Sequence, residues 1–249
     1  MRVLVTFAVD AEFAPWRKLQ EFKKTKLGNC GIWGFTCTLG EKEVQVFLTG
    51  MGTKTCQQSL ARYDFGSAEK PDLIISAGLA GALTEQLKPG DTIVPERVRT
   101  LDNDADAQVD ELLREKAVLA GGMRLETLIT AMRIVQTVVE KKRLSCFGQA
   151  VDMESAYIMT KSVQAKIPCV TIRTISDSFD EDLPIDFDRC FTPEGAVKPM
   201  NLLHAIVERP SGLPKLIRFG KQSNQAAHKL IDFLNSFVVG LDQVRVGMR

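Results

Sequence analysis

Residues 2–9, RVLVTFAV, form an almost unbroken β-branched and apolar run. A strand with one wet face alternates apolar and polar side chains; this one does not, so it reads as buried on both faces, in a sheet covered by helices. The segment that follows, 10–22, reads as a helix, with Asp10 as its cap and Pro15 in its first turns. Further out, 31–39 and 43–49 read as a hairpin around Gly40, and 53–65 as a helix capped by Thr53. A strand LIISAG then runs into a turn Gly78-Leu79-Ala80-Gly81, and Pro89-Gly90-Asp91 precedes the short strand TIVP. Residues 100–117 begin acid-rich and become helical; 127–132 and 147–153 read as strands with a helix between them. Residues 154–166 have helical spacing, and Pro168 introduces the strand CVTIRTIS. The stretch 177–199 reads as a long loop or lid, followed by two helices over 200–208 and 213–238. Strands and helices alternate along most of the chain, without an internal repeat or a low-complexity linker. The expectation is one α/β domain over 1–249, three layers with a mixed central sheet, in which 178–249 supply a lid and the closing helices.

Composition excludes several functions. The chain has 249 residues, 45% hydrophobic and 25% charged, with 32 basic and 31 acidic side chains for a net charge of +1. That is too apolar and too neutral for a disordered chain. No apolar run reaches the roughly 18 residues that span a bilayer. Near-zero charge offers no general attraction to nucleic acid. Six cysteines form no C-x-x-C pair, and neither His204 nor His228 lies near one in sequence, so neither a zinc site nor any other metal or cofactor is expected. The cysteines read as small buried hydrophobes of a reducing compartment. The N-terminal apolar run is brief, is followed at once by Asp10 and has no small-residue cleavage site, which leads to an expectation of a cytoplasmic protein.

Three features carrying acids fall at the ends of expected strands, where ligands of α/β folds bind. They are Glu12, the junction Val151-Asp152-Met153-Glu154-Ser155, and Arg173-Thr174-Ile175-Ser176-Asp177. Burying a lone carboxylate is costly, so an acid ending an apolar strand needs a reason. Taken singly, Asp152 or Ser155 would serve as a helix cap and Asp177 would sit in a solvated turn.

Together, in order, AVDAE, the Gly-x-Gly of Gly50 and Gly52, SAGLAG, PGD at 89–91, VDMES at 151–155 and RTISD at 173–177 resemble the purine nucleoside phosphorylase and nucleosidase superfamily, including methylthioadenosine/S-adenosylhomocysteine nucleosidases. The likeness covers roughly residues 1–177. It implies a nucleoside phosphorylase-like fold and cleavage of an N-glycosidic bond with release of adenine. Asp177 would protonate purine N7, Glu154 would accept from the ribose hydroxyls, Glu12 would deprotonate or orient the attacking water, and Met153 would wall the ribose. Gly78, Leu79, Val135 and Ser176 would line the substrate site. Arg173 would hold Glu12 or Asp177, or else serve a structural ion pair.

Two departures from the superfamily pattern matter. The turn at 78–81 has no Ser or Thr, and Leu79 stands where relatives often carry a hydroxyl for phosphate, which favours water as nucleophile; Arg17 is as readily a surface residue. Before VDMES, Ile134 and Val135 occupy positions where relatives place an aromatic against the purine, leaving Phe179 as the candidate to stack. A phosphate-dependent phosphorylase, a methylthioadenosine/S-adenosylhomocysteine nucleosidase and an inactive nucleoside-binding protein are the alternatives. The tail over 194–234 resembles the hopanoid-associated branch, which implies removal of adenine from adenosylhopane, a lipid-linked nucleoside. Independently, Leu213, Leu216 and Ile217 fall on one helical face with Lys215, Arg218 and Lys221 around them, a pattern suited to the surface of an anionic membrane or to a helix packed on the domain. Peripheral contact with the inner membrane face is therefore one expectation. The resemblance also implies a homo-oligomer, such as a homodimer.

Overall fold

The computed structural model describes residues 1–249 except 29–30, 64, 66–69, 102–105, 191, 193–197, 199, 202–203, 205–211 and 242–249. Among the described residues ten strands form one mixed sheet: β1 (Arg2–Phe7), β2 (Lys23–Leu27), β3 (Ile32–Leu39), β4 (Lys42–Leu48), β5 (Leu73–Ala82), β6 (Thr92–Thr100), β7 (Asp106–Gln108), β8 (Met123–Thr130), β9 (Ala150–Asp152) and β10 (Cys169–Asp177). The helices are α1 (Asp10–Leu19), α2 (Thr53–Arg62), α3 (Glu111–Leu119), α4 (Val138–Leu144), α5 (Ser155–Ala165), α6 (Phe187–Cys190) and α7 (Leu213–Gly240). The expected α/β class with a mixed sheet flanked by helices is what the chain adopts.

The sheet runs β10-β6-β8-β9-β5-β1-β4-β3-β2, and β10 also pairs with β5. The strands β5, β10, β6, β8 and β9 therefore close into a ring, and β1, β4, β3 and β2 extend from it as an open wing. Closure removes two sheet edges whose unpaired backbone would otherwise invite association. Strand β1 lies between β4 and β5, parallel to both, which explains why its sequence shows no polar face. Every residue of β10 is buried, and β10 pairs in parallel with β5 over eight positions and with β6 in the antiparallel sense. The C-terminal ends of β1, β5 and β10 thus come together at one end of the ring.

Several local expectations are corrected. Residues 78–81 are not a turn: β5 continues through them to Ala82, paired with Arg173–Asp177 on one side and with β9 on the other. Asp10 does not cap α1. It is the first helical residue, paired with Arg17, and the Glu12 carboxylate takes the free Ala8 and Val9 amides instead. Thr53 does not cap α2 either; Gly52 precedes the helix, and the buried Thr53 hydroxyl has no hydrogen-bond partner among the described residues. Strand β2, KKTKL, has no apolar alternation; it is an edge strand whose exposed lysines guard the edge. The expected helix at 200–208 lies largely outside the described residues. The final helix spans Leu213–Gly240; its second half packs against β10 and α1, where Asn235 accepts from the indole of Trp16 (3.3 Å) and the amide of Gln20 (2.9 Å).

Candidate active site

At the strand ends lies a cavity of about 400 Å³. Its floor comes from β1 and the start of α1 (Ala8, Val9, Glu12), the late part of β5 (Leu79, Ala80, Gly81), β9 and the residues after it (Val151–Glu154), and the end of β10 (Ser176, Asp177). Ile134 and Val135 form one side, and Phe187 and Phe219 stand at the outer rim.

Glu12 is held by three backbone amides. One carboxylate oxygen accepts from Ala8 (2.9 Å) and Val9 (3.4 Å), and the other from Leu79 (2.9 Å). Burial pushes its carboxyl above the ordinary range; those amides and the nearby charge of Arg173 offset the rise only in part. Gly78 is required by proximity, since a Cβ there would sit 3.0 Å from the Glu12 Oε1.

Glu154 lies at the end of β9, just before α5, with one oxygen accepting from the Gly52 amide at 2.6 Å. Gly52 has φ +84°, and a Cβ on it would stand 3.2 Å from the Met153 methyl, so glycine both turns the chain and admits Met153. The Glu154 carboxyl is pushed up to about 8, first by burial, then by the neighbouring Asp152 and Glu12 carboxyls.

Between and behind these acids, Arg173 is 2% exposed. It donates to Asp152 (2.9 and 2.8 Å), to the Ser76 carbonyl (2.8 Å) and to the Ser76 hydroxyl (3.1 Å). Asp152 also accepts from the Thr130 hydroxyl (2.7 Å), the Ser155 amide (3.2 Å) and the Ser155 hydroxyl. The pair is a fully satisfied buried unit that joins β9, β10 and β5. Arg173 therefore makes the structural ion pair, with Asp152, and bonds neither Glu12 nor Asp177.

Asp177 is buried rather than in a solvated turn. One oxygen accepts from Lys141 Nζ at 2.6 Å and the other from the Ser176 hydroxyl at 2.7 Å. Gly81 makes room for it, since a Cβ there would be 3.1 Å from Asp177 Oδ2.

Three carboxyls thus converge on one cavity: Glu12 held by backbone amides after β1, Glu154 by the Gly52 amide after β9, and Asp177 by the Lys141 and Ser176 side chains at the end of β10. A phosphorylase superfamily model matches residues 2–208. The chain belongs to the phosphorylase superfamily. Among similar proteins, a 5′-methylthioadenosine/S-adenosylhomocysteine nucleosidase of Shewanella pealeana is 27% identical over 221 residues, 78% of this chain and 94% of that one. The Neisseria meningitidis 5′-methylthioadenosine/S-adenosylhomocysteine nucleosidase, solved with methylthio-immucillin-A, superposes with a TM-score of 0.70 at 22% identity, covering 96% of this chain and 99% of that one. A futalosine hydrolase of Helicobacter pylori superposes with a TM-score of 0.72 at 18% identity, covering 97% and 98%.

Against the expected site of a superfamily member, Glu12, Leu79, Val135, Met153, Glu154, Ser176 and Asp177 all face the cavity. Gly78 and Arg173 lie just behind it. Phe179 does not line it; it packs partly buried against the core, and the aromatic rings at the cavity are Phe187 and Phe219, in edge contact at 5.2 Å. Neither ring stood out in the sequence, because Phe187 follows the acidic lid segment and Phe219 has ordinary helical spacing. Lys141 was missed for the same reason: it sits in a run of cations, Lys141-Lys142-Arg143, of which it alone is buried.

Proposed function

We propose that this chain hydrolyses the N-glycosidic bond of an adenosine-type nucleoside and releases adenine. The observation that carries this reading is the convergence of Glu12, Glu154 and Asp177 on one cavity at the ends of β1, β9 and β10. Cleavage breaks C1′–N9 and leaves the bonding electrons on the base while positive charge grows on the ribose. Asp177, protonated, gives its proton to N7, so that adenine departs neutral. Glu154 keeps one oxygen on the Gly52 amide and presents the other to a ribose hydroxyl. Glu12, fixed by three amides, takes a proton from the water that attacks C1′. Burial raises its affinity for protons, which suits a base. These groups act on charge that exists only in the transition state, which raises turnover rather than ground-state binding.

Water is the nucleophile favoured over phosphate. The Leu79 amide is already used by Glu12, Leu79 offers no hydroxyl, and Arg17 pairs with Asp10 and lies over the rings of Phe13 and Phe35. Among the described cavity residues the one cation is Arg133, which is paired with Glu140.

For the 5′ substituent we infer a bulky apolar group, such as the hopane skeleton of adenosylhopane. Support comes from the rim: Phe187, Phe219 and Leu183 give the cavity an apolar outer wall. Nearby on α7, Leu213 and Ile217 are 40% and 51% exposed beside Lys215, Arg218 and Lys221, so the overhanging half of that helix suits the surface of a membrane holding a lipid substrate.

The test is incubation with adenosine and with 5′-alkylated adenosines, with and without phosphate. Adenine release independent of phosphate, fastest with long apolar 5′ groups, is expected. Release only with phosphate overturns the hydrolytic reading, preference for methylthioadenosine overturns the lipid reading, and no release from any of them overturns the enzymatic one.

A further inference from the structure

We propose that Lys141 is a positioning residue for Asp177: it stabilises the carboxylate that Asp177 becomes when its proton passes to the departing base. The inference rests on the role proposed above for Asp177.

Lys141 is 0% exposed, although its neighbours Lys142 and Arg143 in α4 are exposed. Removing an amine from water is costly unless its charge is paired and its N–H groups are satisfied. Lys141 Nζ finds three acceptors: Asp177 Oδ2 at 2.6 Å, the Ser178 carbonyl at 2.5 Å and the Glu181 carbonyl at 3.0 Å. That matches the three donors of an ammonium. The carbonyls fix its position from the loop after β10, so the ammonium is in place before substrate arrives. Lys141 does not line the cavity, whereas Asp177 does, so it reaches the chemistry only through Asp177.

The two oxygens of Asp177 have different surroundings. Oδ2 faces the ammonium. Oδ1 faces the Ser176 hydroxyl, which is also 3.2 Å from the Ala80 carbonyl. When the proton of Asp177 is on Oδ1 and aimed at N7, the Ser176 hydroxyl turns its hydrogen to the Ala80 carbonyl; when the proton has left, the same hydrogen swings to Oδ1. The step balances: C1′–N9 breaks with its electron pair going to the base, the Oδ1 proton goes to N7, and the new carboxylate faces Lys141 and Ser176. The ammonium already faces the Asp177 carboxyl in the free protein, and its attraction to the carboxylate left once the proton has passed to the base favours that step.

Other charges are arranged around this pair without replacing it. Asp180, Glu181 and Asp182 follow on the loop, and Lys215 and Arg218 come from α7, where Arg218 pairs with Glu181 at 2.6 Å. Glu12, Asp152 and Glu154 face Asp177 from the cavity side.

Two leaving groups separate the role from mere support. Adenine needs its proton; 4-nitrophenolate, on a β-ribofuranoside with the same 5′ group, leaves without one. In Lys141→Met, kcat/KM for the adenosine-type substrate should fall by about 100-fold, with less than a threefold change for the nitrophenyl riboside. Equal losses on both substrates would reduce Lys141 to a scaffold and overturn the inference. Should Lys141→Met not fold, the double variant Lys141→Met/Asp177→Asn removes both charges and leaves none unpaired. It should match Asp177→Asn alone on the adenosine-type substrate; a further 100-fold loss would show Lys141 acting independently of Asp177. If Asp177→Asn itself lowers both substrates equally, the general-acid reading fails. If Asp177→Asn is selective and Lys141→Met is not, only the present inference fails.

Discussion

The floor of the cavity and its rim are built in opposite ways. The floor is made of strand ends at one end of the closed ring and of β1 and the start of α1 beside it, where Glu12, Asp152, Glu154, Arg173 and Asp177 are all less than a tenth exposed and nearly every polar atom has a fixed partner. The rim is made of α6, the loop before it and the overhanging half of α7, where Phe187 and Phe219 are half-buried and Leu213 and Ile217 face outward. A floor of this kind holds charges in one geometry and suits the bond being cleaved. A rim that presents apolar side chains to the cavity can change without disturbing the floor, and suits choice of substituent.

If the comparison holds, floor substitutions cost turnover or stability outright and rim substitutions cost only discrimination. The largest effect is expected at Glu12. Glu12→Gln removes the base and sets an NH2 against either the Leu79 amide or the Ala8 and Val9 amides, and should lower kcat by about 10²–10⁴-fold with a smaller fall in melting temperature. Steady-state adenine release together with a thermal melt checks both halves; a loss below tenfold would remove Glu12 from the chemistry.

Arg173 should break stability instead. Arg173→Met leaves Asp152 buried and unpaired, a loss of roughly 3–5 kcal/mol. Urea unfolding would measure it, and Arg173→Met/Asp152→Asn should recover part of the loss because no lone charge is then left inside. A single variant as stable as the parent would mean that the Asp152 pair is not what ties β9, β10 and β5 together.

The floor was also the legible region in the sequence. Polar residues interrupt apolar strands there, and an acid at the end of RVLVTFAV or CVTIRTIS stands out because burying it has a cost. The unbroken apolar runs likewise revealed strands buried on both faces. What the runs did not reveal was ring closure: β10 pairs with both β5 and β6, a long-range choice that no local pattern encodes. Glycine was misread at 78–81, where it serves close approach to Glu12 and Asp177 rather than a turn. The rim was least legible, since Phe219 has the spacing of any amphipathic helix residue and only its position in the fold turns it toward the cavity. Lys141 was hidden among other cations for a similar reason.

A smaller floor effect is expected at Glu154, and its sign follows from linkage. The folded-state carboxyl is pushed up to about 8, above the ordinary value of 4.5. The folded protein therefore holds more protons than the unfolded chain between those values, and stability falls as pH rises through that window. Glu154→Gln cannot ionise and escapes the penalty. Its melting temperature should match the parent near pH 4 and exceed it by pH 8.5, by about 2–4 °C for each kcal/mol recovered. A difference that does not grow with pH would mean that burial does not penalise the charged form, and activity should be lost in the variant at every pH.

The smallest effect belongs to the rim. Phe219 reaches the cavity from α7, touches Phe187, and bonds none of the three carboxyls. Phe219→Ala removes an apolar wall without leaving a buried charge or an unpaired donor. Its cost should therefore depend on how much apolar surface the substrate brings: at about 25 cal/mol for each Å² of apolar area covered, a ring face against a long 5′ alkyl group is worth roughly 1–2 kcal/mol, or about a tenfold loss of kcat/KM. For plain adenosine, which extends nothing to the rim, the change should stay within twofold. The ratio of the two specificity constants is thus the quantity to measure. An equal loss on both substrates would place Phe219 on the nucleoside itself and erase the division between a floor that cleaves and a rim that selects.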